Sequence, residues 1–321
     1  MASFEIPPTG KQVYMAAFLA KVRESGLHEA VRAAAKRIPT KVLRHQIGEF
    51  VPAAGLQAIQ GSGVRDEEAF ATPAILRAAP GALAYYRLLL GVSQKQFYST
   101  VTGLAVFKSM EERQYIAPIA DGLLDELCRD LNASMTVLLQ ALPHATLRND
   151  IDQLPLLTLG AQADGSWRGQ IGAKATNGVF AAMKTVIKQQ GCSFTETDAS
   201  ITIINNSGRE VTLALAPDPD LVIREDVEDS VVYKTAIEIK GGADKSNRHN
   251  RVGEAEKSHQ KARADGAQDC WTVIDLANAD LAVLKQESPT TREWLDLNEV
   301  LHQSGSGWSR LKTLTLSAMG I

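Results

Sequence analysis

Residues 216–242 read APDPDLVIREDVEDSVVYKTAIEIKGG, and they hold two strand signals set among charged side chains. Residues 231–240 are the most strand-like run in the chain, rich in β-branched and aromatic residues. Side chains alternate along a strand, so Glu238 and Lys240 share one face of Ile237-Glu238-Ile239-Lys240 while Ile237 and Ile239 take the other. Such charges are costly in a core unless they are paired or hold a metal. Upstream, Pro217-Asp218-Pro219-Asp220 interrupts the pattern before Leu221-Val222-Ile223, and an acidic turn (Glu225, Asp226, Glu228, Asp229) leads into the main strand. Asp220 lies directly against Leu221 and is the preferred partner for Glu238. Asp218 is the alternative and reads better as part of the turn. Two converging carboxylates make an oxygen-rich site that suits Mg²⁺ and leaves positions for water and phosphate. Lys240 beside them would orient or help deprotonate that water and stabilise charge on phosphorus, which is the equipment of phosphodiester hydrolysis.

The flanking sequence supports this more than the triplet does, because an isolated E-x-K is common and usually marks a charged pair on a solvated strand edge. Before it, residues 201–204 and 211–215 surround Asn205-Asn206-Ser207-Gly208, a hairpin signal. Residues 170–190 (QIGAKATNGVFAAMKTVIKQQ) fit one helix. After it, residues 250–264 read as a helix and 270–276 (CWTVIDL) as a strand. Strand, helix and strand at that spacing suggest a right-handed parallel crossover. Gly241-Gly242 would let the backbone turn sharply or approach a phosphate closely. Glu254 and Glu256 are candidates for a second metal, though a solvated helix face is the favoured reading.

The first half is helical in pattern, with hardly a strand signal before about residue 154. Tyr14, Phe18 and Val22 recur four apart on one face, and Pro39, Pro52 and Pro80 are expected breaks. Helical patterns run over residues 74–90, 93–113 and 121–142. Gly91-Val92-Ser93-Gln94 has the rhythm of a helix-turn-helix, with a plain helical hairpin as the favoured reading. Lys36, Arg37, Lys41 and Arg44 are read as facing water rather than DNA. The expected organisation is a helical region, 1–155, and an α/β domain, 156–321.

Composition narrows the class of function. With 321 residues, 45% hydrophobic and 22% charged, the chain is neither disordered nor fibrous. Cys128, Cys192 and Cys270 form no C-x-x-C pair, which fits a reducing interior better than a disulfide scaffold or zinc ribbon. No run reaches the ~18 apolar residues of a membrane span and no signal-peptide core is present, so a soluble, cytoplasmic protein is expected. The net charge of −3 excludes binding nucleic acid by bulk positive charge. Positive charge is local instead: residues 234–263 hold eight Lys or Arg against four acids. Lys245, Asn247, Arg248 and Arg251 are the candidate DNA contacts on that rim. No G-x-x-x-x-G-K-[ST] occurs, so ATP use is not indicated.

The blocks APDPDLVIRE and AIEIKGGADKSNRHNRVGEAEKSHQKARADG, with LRAAPGALAYYRLLLGVSQKQFY upstream and ESPTTREWLDL downstream, resemble the XcyI-type type II restriction endonucleases. The likeness covers about residues 70–300 and is strongest over 216–266. It implies the PD-(D/E)XK fold, a mixed sheet flanked by helices, with Asp220, Glu238 and Lys240 on the catalytic motif and Asp220 and Glu238 holding Mg²⁺. It further implies a homodimer cutting double-stranded DNA at a short palindrome, with CCCGGG and a 5′ overhang as the best expectation, beside a companion methyltransferase acting on the same site. The alternatives are a structure-specific or repair nuclease on the same fold, and a DNA-binding regulator that does not cleave.

Overall fold

The computed structural model describes residues 9–242 and 248–321. Two of the expected DNA contacts, Lys245 and Asn247, lie outside the described residues. The chain divides into two compact units, Met1–Trp167 and Arg168–Ile321. The division falls inside one 42-residue helix, Leu147–Lys188, as does the position near 155 expected from composition. Pro155 sits within that helix, forgoing one backbone hydrogen bond. Among the described residues, no helix is long and apolar enough to cross a membrane.

The first unit is built from helices. Leu27–Arg37, Thr40–Phe50 and Ala53–Ile59 are separated at Pro39 and Pro52, and Pro73–Ala78 ends before Pro80, as the prolines predict. Its core gathers Phe70, Leu76, Leu83, Tyr86, Leu124, Met135 and Leu139. A buried Asn132 ties two segments together: its amide donates to the Phe50 and Ala71 carbonyls and its oxygen accepts from Ala71 N–H. The helical pattern over 93–113 breaks into pieces, Gln94–Phe97 and Lys108–Arg113 joined by a 3₁₀ turn. A four-residue second helix is too short to read a DNA groove, so the helix-turn-helix rhythm is a local turn.

The second unit is a seven-stranded sheet with strands in sequence order. Strands β1 (Phe194–Glu196), β2 (Ser200–Ile204), β3 (Glu210–Leu215), β4 (Leu221–Val227) and β5 (Ser230–Lys240) form an antiparallel meander. The helix Arg248–Ala264 then crosses over, so β6 (Asp269–Ile274) lies parallel to β5, and β7 (Glu293–Asp296) parallel to β6. The sheet is therefore mixed. The expected acidic turn is partly strand, because β4 continues to Val227 and buries Glu225. That carboxylate is affordable because Arg209, Lys234 and Asn205 lie 2.7, 3.0 and 2.8 Å from its oxygens.

Alternation in β5 does what its sequence predicts. Ile237 and Ile239 join a core with Val179, Phe180 and Met183 of the long helix and with Trp308 and Leu311 of the C-terminal helix Gly305–Met319. Ala236 packs on the other face with Val222, Ala262 and Cys270, under the Arg248–Ala264 helix. Glu238 and Lys240 belong to that second face.

Candidate active site

Strands β4 and β5 pair with Leu221 opposite Ile237, which brings Asp220, just before β4, level with Glu238. Asp220 is fixed from two sides. Its Oδ2 accepts the Ile239 N–H at 2.8 Å, and its Oδ1 accepts the Thr176 hydroxyl of the long helix at 3.4 Å. Glu238 is almost fully buried, and its Oε1 lies 2.7 Å from Lys240 Nζ. The same ammonium stands 3.6 Å from Glu254 Oε2 on the crossover helix. The structure thus brings Asp220, Glu238 and Lys240 together.

Electrostatics separates the two candidate aspartates. Asp218 is paired with Lys261 at 2.7 Å, and that hydrogen bond holds its carboxyl below the usual range. Burial pushes Asp220 the other way, and the hydrogen bond from Ile239, the Lys240 charge and Thr176 only partly offset it. Burial likewise raises Glu238 against the pull of Lys240, and the neighbouring Asp220 and Asp218 add to the rise. Two raised carboxyls side by side are short of positive charge.

That deficit is what a divalent cation would fill. Among the described residues no group of three or more His, Cys, Asp or Glu forms a cage. Two carboxylates suit a hard cation that keeps several waters and takes its other oxygens from a phosphate. The donor set fits Mg²⁺ on that chemistry.

Glu256, weighed from sequence as a second metal ligand, is used otherwise. Burial works to raise its carboxyl, but hydrogen bonds from Thr290, Ser288 and Gln260 outweigh it and hold the group low. This begins a buried chain in which Ser288 meets Thr291, Thr291 meets Thr272, and Thr272 meets His259 Nε2 at 2.9 Å. Thr272 pairs with Glu238 across β5 and β6, so the chain backs the face that carries the site. Burial drives His259 down to about 4, so its ring is neutral at pH 7. No sequence signal marked Thr176, Thr272 or His259, since single hydroxyls and a lone histidine gain meaning only from what they touch.

The expected DNA contacts divide. Arg251 donates to the Gly241 and Gly242 carbonyls at 2.7 and 3.1 Å and so secures the backbone beyond β5. Gly242 holds φ +125°, a conformation that side chains rarely adopt, and a Cβ on Gly241 would meet the Ala175 Cβ at 2.5 Å. The two glycines thus let strand β5 end tightly against the long helix. Arg248 is half-buried and donates from Nη2 to the Ala277 carbonyl at 2.9 Å.

Residues 16–321 match the XcyI restriction endonuclease family. The chain belongs to that family. It is 37% identical over 319 residues to the type II restriction enzyme XcyI of Xanthomonas campestris pv. cyanopsidis, covering 98% of this chain and 95% of that one. It is 35% identical over 319 residues to the type II restriction enzyme Cfr9I of Citrobacter freundii, covering 98% and 96%. Family membership runs through both units, so the helical unit is part of what the family shares. The chain is accordingly an enzyme of the type II restriction endonuclease class.

Proposed function

We propose that the protein hydrolyses phosphodiester bonds of double-stranded DNA at the palindrome CCCGGG, leaving 5′ overhangs, in a PD-(D/E)XK centre formed by Asp220, Glu238 and Lys240. The observation that carries the hydrolytic centre is geometric: the β4–β5 register sets Asp220 level with Glu238, and Lys240 Nζ stands 2.7 Å from Glu238 on the same sheet face, while the DNA site and overhang rest on the family resemblance. Asp220 and Glu238 would hold Mg²⁺, whose chemistry when bound is to offset phosphate charge and to make a water a better nucleophile. Lys240, steered by Glu238, presents Nζ to orient the attacking water and to stabilise charge gathering on the phosphorus. Ile239 N–H and the Thr176 hydroxyl, one on each oxygen, keep the Asp220 carboxylate in one orientation. Arg248 contacts the DNA backbone, a role the sequence also assigns to Lys245 and Asn247, and Arg251 acts through the Gly241 and Gly242 backbone it secures.

A palindrome is matched by two-fold symmetry, so the working form is a homodimer with one centre per strand and the helical unit as dimer or DNA-clasping surface. The protein works in the cytoplasm, beside a methyltransferase that modifies the same site. A plasmid with one CCCGGG site, incubated in Mg²⁺ and in EDTA, tests this. One linear product in Mg²⁺ alone, with 5′ overhangs on end sequencing, is expected. Many fragments would keep the nuclease and discard the sequence; intact plasmid in Mg²⁺ and Mn²⁺ would leave a DNA-binding protein.

A further inference from the structure

The helical unit holds a second concentration of charge, remote in sequence from the catalytic strands. Arg32 and Lys36 stand four apart on the helix Leu27–Arg37 and share a face. Arg65 precedes the short helix Asp66–Ala69, and Arg148 comes from the first turn of the long helix. All four line one open cleft of about 530 Å³, together with Gly63, Glu68 and Asp152. Four cations face two carboxylates there.

How those charges are committed shows what remains available. Glu68 lies at the floor, 1% exposed, and accepts from Arg32 Nε at 2.6 Å, from Arg148 Nη1 and from the Arg65 N–H. Arg148 spends its other nitrogens on Asp152, at 2.6 and 3.2 Å. His28 sits 3.4 Å from Glu68, and burial and Arg32 keep its ring below its ordinary value. Among the described residues, Arg32's two terminal nitrogens and the Lys36 ammonium have no partner, and Arg65 has only a loose contact with Glu67 at 3.7 Å. Glu68 therefore orients Arg32 without exhausting it, and Arg32, Lys36 and Arg65 reach into the cleft from different elements. Glu68 and Asp152 offset only two of the four positive charges, so the cleft keeps an excess of positive charge. A fixed guanidinium flanked by two further cations suits the several oxygens of a phosphate.

We propose that the cleft of Arg32, Lys36, Arg65 and Arg148 binds a phosphodiester of the DNA backbone, a contact made by the helical unit itself. This rests on the DNA-cutting function proposed above. The contact is independent of base sequence: it adds affinity and salt dependence and carries no recognition. It also gives Lys36, which reads from sequence as a solvated residue, a specific role.

The test is duplex binding in EDTA across a salt series, by the full-length protein and by a Lys36→Ala/Arg65→Ala double variant. Both side chains are exposed and neither is needed by Glu68, whose contact with residue 65 is through the backbone. Unchanged melting verifies the fold. Expected is binding weakened about 5- to 20-fold at low salt, with a log–log salt slope smaller by roughly 1, alike on duplexes with and without CCCGGG. Lys36→Arg/Arg65→Lys should restore both. An unchanged slope and affinity would overturn the proposal while leaving the nuclease intact. Inorganic pyrophosphate supplies a second arm: if it raises the melting temperature of the parent but not of the Ala variant, while DNA binding is the same in both, the cleft serves a small phosphate ligand and the DNA contact is refuted. A parent that binds no duplex and cuts no plasmid would remove the functional reading itself.

Discussion

Glu68 in the helical unit and Glu238 in the sheet unit are both almost wholly removed from water, yet their surroundings push them in opposite directions. Burial works to raise Glu68, but hydrogen bonds from Arg32, the Arg65 backbone and Arg148 outweigh it and hold it below the usual range. Glu238 has one ammonium, shared with Glu254, and two acidic neighbours, so burial wins. Glu256 extends the contrast within the sheet unit itself, since hydroxyls and an amide satisfy it on the same side of the molecule. A carboxylate that exists to hold structure is given its full set of donors. The pair Asp220 and Glu238 is left in deficit, which suits a cation arriving with the substrate.

The largest effect should separate catalysis from structure. Lys240→Ala should slow cleavage by on the order of 10³-fold or more while duplex binding in EDTA stays within a few-fold of the parent. Rapid cleavage by this variant would remove the lysine from the chemistry. Glu68→Gln should instead act on folding, costing roughly 2–3 kcal/mol in denaturant unfolding, somewhat below the range for a fully buried pair because Arg32 and Arg148 are partly exposed. Its single-turnover cleavage rate with DNA fully bound should be little changed, because Glu68 touches none of Asp220, Glu238 and Lys240. Next, Gly241→Ala should cost about 1–3 kcal/mol, because the new methyl meets Ala175 and backbone of the long helix where neither yields easily.

pH should sharpen the contrast further. Glu68 has a folded pKa below its unfolded one, so it contributes stability above the unfolded value and loses it as pH falls through the folded one. Asp220 and Glu238 are raised, so without metal the folded state binds their protons more tightly and gains stability as pH falls through their folded values. Protons should then compete with the cation for this pair, so the Mg²⁺ concentration needed for half-maximal cleavage should rise on acidification. Mg²⁺ titrations of the single-turnover rate across a pH series check this.

Much of the sheet unit was legible in the sequence because its strands are short, β-branched and bounded by turn residues. The alternation of Ile237-Glu238-Ile239-Lys240 alone assigned both faces of β5. What escaped was whatever depends on partners distant in the chain. The strand character of Glu225 rests on Arg209 and Lys234, and the anchoring of Asp220 on Thr176. Glu254 and Glu256 look alike in sequence, yet one reaches Lys240 while the other is consumed by Ser288 and Thr290. In the helical unit the prolines marked the breaks, but nothing local showed that residues 32, 36, 65 and 148 line one cleft.

Thermal unfolding of the parent, Asp220→Asn and Glu238→Gln, each with and without Mg²⁺ at neutral pH, addresses the deficit itself. Without metal, both variants should melt above the parent, since each removes a buried charge that the protein does not fully compensate. Added Mg²⁺ should raise the parent and leave the variants nearly unmoved. Variants that melt below the parent without metal, with Mg²⁺ shifting all three alike, would mean that Asp220 and Glu238 are structural carboxylates of the Glu68 kind and that the cation binds elsewhere.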